Sequence, residues 1–134
     1  MGSHTPGPLV LVVDDNEQNR KLARDVLRAA GLRTLEAASG REGIALAIER
    51  LPDVVLLDLL LPDLDGVEVA RELKGNARTA PIPLVALTAV RVGGEGPLHE
   101  AGFAGYLEKP IRVADFPAEV RSYCTGRDVA RRSS

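Results

Sequence analysis

Apolar residues in this sequence form several short, continuous runs, and each run ends at polar residues. Residues 9–13 consist of leucine and valine, residues 54–57 repeat that composition, and residues 84–87 follow the same pattern. Such runs, bounded by proline or acidic residues, are typical of strands that are buried on both faces of a sheet. Residues 33–38, which include Arg33 and Glu36, and residues 105–107 are less apolar segments that we also interpret as strands. The pattern therefore predicts five strands.

The segments between these strands carry apolar residues at helical spacing, which predicts a helix after each strand. Asn16 suits the cap of the first helix and Gly31 its end, while Ser39 and Glu42 form a capping-box pattern at the start of the second. The predicted helices cover residues 16–30, a stretch that begins at Ser39 and ends before Pro52, and residues 66–74, 97–101 and 115–124. Strict alternation of strand and helix predicts an α/β fold, a parallel sheet with helices on both faces.

The fourth helix is predicted to be short. Gly93, Gly94 and Gly96 lie within four residues, and each costs a helix interior about 1 kcal/mol relative to alanine. Pro97 suits a first helical position but not a helix interior. Residues 90–96 are therefore predicted to be a mobile loop in the resting state, which contact at Thr88 could order on activation.

Length and composition favour one small domain. The chain has 134 residues, 45% of them hydrophobic, and a formal net charge of -2. That charge gives no indication of a nucleic-acid or membrane partner, and no apolar run reaches membrane-spanning length. Cys124 is the only cysteine, which excludes an intramolecular disulfide and fits a reducing, cytoplasmic location. We expect residues 1–8 to be a cloning remnant and lead-in, residues 9–124 the domain, and residues 125–134 a disordered tail or linker stub.

Five polar residues lie where predicted strands end. Because the carboxyl ends of parallel strands share one edge of the sheet, these residues should meet in one pocket. They are Asp14 and Asp15 after the first strand, Asp58 after the third, Thr88 after the fourth and Lys109 after the fifth. Taken singly, each has a simpler structural role, such as Asp15 in a helix cap or Lys109 at the surface, but the joint arrangement favours a functional site.

The residue types in this pocket indicate phosphoryl chemistry. Three converging carboxylates repel one another unless a cation offsets their charge, and Mg²⁺ prefers carboxylates, water and phosphate oxygens. Zn²⁺ is a poor candidate because the set holds neither cysteine nor histidine. One carboxylate could attack phosphorus to give an aspartyl phosphate. Lys109 would then offer a positive charge to the phosphoryl oxygens, and Thr88 a hydroxyl donor.

Four motifs resemble the receiver domain of two-component response regulators (the CheY-like family). They are Val-Asp-Asp-Asn-Glu at residues 13–17, Leu-Asp-Leu-Leu-Leu-Pro-Asp-Leu-Asp-Gly at 57–66, Leu-Thr-Ala at 87–89 and Gly-Tyr-Leu-Glu-Lys-Pro at 105–110. The resemblance covers residues 9–123 and implies a flavodoxin-like fold with strand order 2-1-3-4-5. Leu61 stands where the family often has methionine, and the glycines before Pro97 also depart from the family.

The resemblance also implies a role for each site residue. Asp58 would accept a phosphoryl group, and Asp14, Asp15, Asp58 and the carbonyl of Leu60 would hold Mg²⁺. Thr88, Lys109 and the backbones of Leu59 and Ala89 would contact the phosphoryl group. Thr88 and Tyr106 would switch on activation, and the bond between Lys109 and Pro110 would be cis.

The implied partners are proteins. A histidine kinase or histidine phosphotransfer protein would donate the phosphoryl group, and a downstream protein would bind the face of helix 4, strand 5 and helix 5. The domain would be a monomer or weak homodimer, with no nucleic-acid or membrane partner. It would not be an enzyme beyond its own phosphorylation and dephosphorylation.

Three alternatives remain open at this point. A phosphatase of the haloacid-dehalogenase type would require a second acid at position 60, where this chain has Leu60. A flavodoxin would require a loop rich in serine and threonine at the position of Asp14 and Asp15. A receiver-like module that only docks is disfavoured by the full residue set. The sequence does not distinguish a stand-alone regulator from a receiver excised from a longer protein.

Overall fold

Five parallel strands form a single sheet in the order β2-β1-β3-β4-β5. The computed structural model describes residues 7–88 and 96–133. The strands are β1 (Leu9–Val13), β2 (Arg33–Ala37), β3 (Val54–Asp58), β4 (Leu84–Thr88) and β5 (Gly105–Glu108). The order is the one that the resemblance implies, and the fold class is confirmed as a doubly wound α/β sheet.

Helices cover both faces of this sheet. They are α1 (Glu17–Ala29), α2 (Gly40–Arg50), α3 (Gly66–Lys74), α4 (Gly96–Glu100) and α5 (Phe116–Ser133). None of the helices in the described ranges combines the length and apolarity that a membrane span requires.

The three central strands, β1, β3 and β4, are buried along their whole length. Side chains of a strand alternate between faces, so successive residues of each run enter different cores. Leu11, Val55 and Ala86 pack on one face in a core with residues of α2, α3 and α4. Val12 and Leu56 pack on the other face with residues of α1 and α5. Burial on both faces explains why the apolar runs in the sequence are continuous and do not alternate with polar residues.

Side-chain caps fix the starts of the helices. Asn16 accepts a hydrogen bond from Asn19 N at 3.0 Å, and Ser39 accepts one from Glu42 N at 3.2 Å. The predicted capping box at α2 is only half formed, because the Glu42 carboxylate accepts from Ala38 N rather than from Ser39 N. A complete capping box instead starts α3.

Helix α5 differs from the prediction at its C-terminal end. The sequence predicts a helix that ends at Cys124 before a disordered tail, whereas the helix continues to Ser133. The prediction was wrong because Gly126 alone costs a helix only about 1 kcal/mol, and the following Arg127 and Ala130 are strong helix formers. Where the domain ends remains a prediction.

Helix α4 spans Gly96–Glu100, against a predicted 97–101. A helix is thus confirmed at this position, and its C-terminal end lies one residue before the predicted one. The prediction of a mobile loop at residues 90–96 was wrong for Gly96, which lies in the helix, while Ala89 and residues 90–95 lie outside the described residues, so the shortness of the helix and the ordering of that loop stay predictions.

We expect Asn16→Ala to lower the free energy of unfolding by about 1 kcal/mol, because it leaves an amide of the first turn of α1 without its cap. Urea denaturation measures the change. The control is Gln18→Ala, which alters an exposed position in the same turn without removing the cap. Equal stabilities for the two variants would contradict the assigned cap.

Candidate functional site

Asp14, Asp58 and Lys109 meet at the carboxyl edge of the sheet. The side chain of Asp14 is 1% exposed, that of Asp58 11% and that of Lys109 16%. Lys109 Nζ lies 2.8 Å from Asp14 Oδ2 and 3.2 Å from Asp58 Oδ2. A single ammonium group therefore bridges two buried carboxylates that come from different strands.

Backbone amides hold the other oxygen of each acid. Asn16 N donates to Asp14 Oδ1 at 2.9 Å, and Leu60 N donates to Asp58 Oδ1 at 2.9 Å. Both are turns in which an aspartate accepts from the amide two residues ahead. These bonds fix the carboxylate planes, so that one oxygen of each acid faces Lys109.

Burial raises the pKa of Asp58 above its ordinary value of 3.8, and the charge of Asp14 adds to that rise. The amide of Leu60 and the ammonium of Lys109 lower the pKa of Asp58, but they do not cancel the rise. For Lys109, desolvation by burial lowers the pKa, but contacts with Asp14 and Asp58 outweigh it, and the net pKa is raised above 10.5. Lys109 thus stays charged, while the ionised form of Asp58 is disfavoured.

The acids fit a divalent cation. Asp14, Asp15 and Asp58 each offer a carboxylate oxygen, and these oxygens lie within 4.8 Å of one another. Asp14 Oδ2 is buried, and the ammonium of Lys109 lies 2.8 Å from it. A set of hard oxygen ligands around buried carboxylates suits Mg²⁺.

Thr88 and Lys109 are neighbours through the backbone. Thr88 ends β4 and is buried, and Lys109 N donates to the Thr88 carbonyl at 2.8 Å. The bond between Lys109 and Pro110 is cis, as the resemblance implies. Tyr106 lies on β5, half-buried against the core under α4. Their phosphoryl-contact and switching roles remain predictions.

The segment after Asp58 passes close to the start of α3. Leu59 N, an implied phosphoryl contact, donates to the Leu87 carbonyl at 3.4 Å, a long hydrogen bond. A Cβ added at Gly66 would lie 2.8 Å from Leu59 Cα and 3.1 Å from the Asp58 carbonyl oxygen. Only glycine permits this approach of helix to strand end. The Leu60 side chain is 73% exposed.

Sequence reasoning missed two side chains near the site. Arg20 Nη1 donates to the Asp14 carbonyl at 2.7 Å, and the same guanidinium is paired with Glu36 at 3.4 Å. Asp63 accepts from the first amides of α2. A signal existed for Arg20, because it follows the acid pair by only five residues and lies near the start of the predicted first helix. No sequence signal indicated the partners of Asp63, because α2 precedes it by more than twenty residues.

Comparison with known proteins agrees with this geometry. The sequence model of the response regulator receiver domain matches residues 10–121, which is most of the chain. The chain belongs to the response regulator receiver family. Among its relatives is the polar-differentiation response regulator DivK of Brucella ovis, 40% identical over 115 residues, or 85% of this chain and 94% of DivK.

Solved receiver structures share its fold. The receiver domain of the sensor histidine kinase PA1611 from Pseudomonas aeruginosa PAO1, described with magnesium coordinated in its active site cleft, has a TM-score of 0.80 and 30% identity over 89% of this chain and 98% of that one. The chemotaxis protein CheY4 of Vibrio cholerae has a TM-score of 0.82 and 25% identity over 87% of this chain and 98% of its own. The flavodoxin-like receiver fold is therefore shown.

Proposed function

We propose that this receiver domain accepts a phosphoryl group on Asp58 in a Mg²⁺-dependent reaction and signals through a downstream protein. The observation that carries the proposal is the bridging of two buried carboxylates, Asp14 and Asp58, by Lys109. An acid held at a strand end beside an ammonium group and two further acids has few purely structural explanations.

In the proposed reaction an oxygen of Asp58 forms a bond to phosphorus as the bond from phosphorus to the donor breaks. The donor atom is a histidine nitrogen of a kinase or phosphotransfer protein, which leaves with the bonding electrons and takes up a proton. Lys109, already near Oδ2 of Asp58, would move with its charge to a phosphoryl oxygen. The Thr88 hydroxyl and the backbones of Leu59 and Ala89 would donate to the others.

Asp14, Asp15, Asp58 and the Leu60 carbonyl would hold the cation. Bound there, Mg²⁺ supplies positive charge that offsets both the carboxylates and the incoming phosphoryl oxygens. Asp15 is exposed beside the buried Asp14, so it could reach the cation from the solvent side. Lys109 would no longer be needed to neutralise Asp14 with a cation held there, and its ammonium could then turn to the phosphoryl group.

The proposed output face includes α4, β5 and α5. A groove of about 640 Å³ runs along β5 and the start of α5, and its lining includes Tyr106, Lys109 and Arg112. Lys109 thus contacts the acidic site, formed by Asp14, Asp15 and Asp58, and also lines this groove. A phosphoryl group on Asp58 would therefore lie next to a residue of the surface that a partner would bind. We propose a cytoplasmic regulator without enzymatic activity on other substrates.

We expect wild type to gain the mass of one phosphoryl group when it is incubated with acetyl phosphate and Mg²⁺, and Asp58→Asn to gain none. Intact-mass spectrometry is the measurement, because a phosphoaspartate is lost easily in digestion. The control is Asp115→Asn, which removes an exposed carboxylate at the groove and leaves the acidic site unchanged. A phosphoryl group on Asp58→Asn, or on wild type in chelator, would disprove the proposed site or its metal dependence. No phosphorylation of wild type would favour a docking module.

A further inference from the structure

The connection from β3 to α3, residues 59–65, carries the carbonyl of Leu60 that we propose as a metal ligand. Its own hydrogen bonds shape it locally. Leu60 N donates to Asp58 Oδ1 at 2.9 Å, Gly66 N donates to the Leu59 carbonyl at 3.0 Å, and Leu60 and Asp65 form an isolated antiparallel bridge. These three contacts join residues within 58–66, and the bond from Leu59 N to the Leu87 carbonyl ties the start of the connection to β4, so none of them links the connection to α2.

Asp63 makes the link to a neighbouring helix. Its Oδ1 accepts from Gly40 N at 2.8 Å and its Oδ2 accepts from Arg41 N at 3.0 Å. Among the hydrogen bonds described for residues 60–65, these reach α2, whereas those of Asp65 reach the adjoining helix α3. Both amides belong to the first turn of α2, where amides lack partners within the helix. The amides of Arg41 and Gly40 lower the pKa of Asp63 below 3.8, so the bonds are made by an ionised carboxylate.

The start of α2 is itself a firm anchor. Gly40 is buried, and a Cβ placed on it would lie 2.9 Å from Val69 Cγ2 and 3.0 Å from Leu64 Cβ. The helix therefore begins in direct contact with α3 and with the connection that Asp63 belongs to. A segment held at Asp63 has little freedom to move away from α2.

We infer that Asp63 is a positioning residue for the divalent cation, because it ties the segment that carries Leu60 to the N-terminus of α2. This inference rests on the proposed function. Without the tie, binding would first have to order the segment, and the lost freedom would weaken the affinity. Residues that orient metal ligands typically change affinity by about 10- to 100-fold when they are replaced.

The test compares Asp63→Ala with Ser39→Ala. Ser39 caps the same helix through Glu42 N but makes no described contact with residues 59–65. Both variants should lose thermal stability, because each deletes a cap of α2. We expect Asp63→Ala to weaken Mg²⁺ binding by about 10-fold, at the lower end of that range because Asp63 is exposed, and Ser39→Ala to bind like wild type. Binding is measured by Mg²⁺ titration of amide chemical shifts, which needs no phosphorylation.

Further readouts separate positioning from folding. At subsaturating Mg²⁺ the acetyl phosphate reaction of Asp63→Ala should be slow, and saturating Mg²⁺ should restore it. The Leu60 amide should exchange faster with solvent in metal-free Asp63→Ala than in Ser39→Ala.

Equal Mg²⁺ affinities of the two variants would overturn the inference while leaving the proposed function intact. Absence of Mg²⁺ binding by wild type would overturn the proposed function itself. If Asp63→Ala does not fold, Asp63→Asn, which keeps one acceptor, takes its place in the same titration.

Discussion

Lys109→Met should lower the free energy of unfolding of the metal-free protein by about 2 kcal/mol at pH 7, since loss of one partner from a buried ion pair costs several kcal/mol and this pair is partly solvated. The ammonium of Lys109 bridges Asp14 and Asp58, both of which are buried. Methionine preserves the aliphatic length but not the charge. Two carboxylates would then face each other without a cation between them.

Urea denaturation in chelator measures this effect. Lys21→Met is the matched control, because Lys21 is exposed on α1 and its replacement changes the net charge equally. Mg²⁺ should restore much of the stability of Lys109→Met, since it binds only the folded acidic site and supplies the missing charge. A loss no greater than that of Lys21→Met would mean that Lys109 does not neutralise the pocket in solution.

Much of the sheet could be predicted because burial on both faces leaves a direct imprint on sequence. Strand β1 is apolar throughout and is followed by Asp14, while β3 and β4 are apolar until their last residues, Asp58 and Thr88, so both the extent of the strands and the position of Asp58 could be predicted from the sequence. The positions of Asp14 and Lys109 at one edge then followed from the geometry of parallel strands. Edge strands and helix ends carried less information, since local caps and solvent determine them.

Contacts between elements far apart in sequence were not predictable in the same way. Asp63 reads as a turn residue after Pro62, and no periodicity connects it with Gly40. The pairing of Arg20 with Glu36 on β2 is likewise a contact that no periodicity indicates. The extension of α5 was missed for a different reason. The polar residues at the end of the chain predict a disordered tail, but neither they nor the single Gly126 is a strong signal for a helix end.

The acidic site has opposite requirements in the metal-free protein and in a protein that binds a cation and a phosphoryl group. Holding Asp14, Asp15 and Asp58 together is unfavourable without a cation, yet this arrangement is what a cation and a phosphoryl group need. Lys109 reduces the repulsion in the metal-free protein, and in the proposed function it would then be available for the phosphoryl group. The site thus gives up stability for reactivity, as functional sites often do. Whether Asp58→Asn raises or lowers the free energy of unfolding tests this view.

Asp58→Asn should raise the free energy of unfolding of the metal-free protein by about 1 kcal/mol or more at pH 7, a typical scale for a substitution that relieves repulsion and desolvation at a buried charge. The pKa of Asp58 is raised in the folded state, chiefly by burial, so ionised Asp58 destabilises the fold. This penalty is complete above the folded-state pKa and disappears as the pH falls towards 3.8, where the unfolded chain also takes up the proton. The advantage of Asp58→Asn should therefore shrink on acidification.

Urea denaturation of both proteins in chelator, from pH 7 down to about pH 4, near the ordinary pKa of aspartate, measures this dependence. Saturating Mg²⁺ at pH 7 should also narrow the difference, because wild type gains more from the cation than a variant that lacks one ligand. Asp25→Asn serves as control, because Asp25 is exposed on α1, away from the acidic site. If metal-free Asp58→Asn were less stable than wild type at pH 7, attraction to Lys109 would outweigh desolvation and repulsion at Asp58. The carboxylate would then stabilise the fold, and the acidic site would carry no energetic cost for its function.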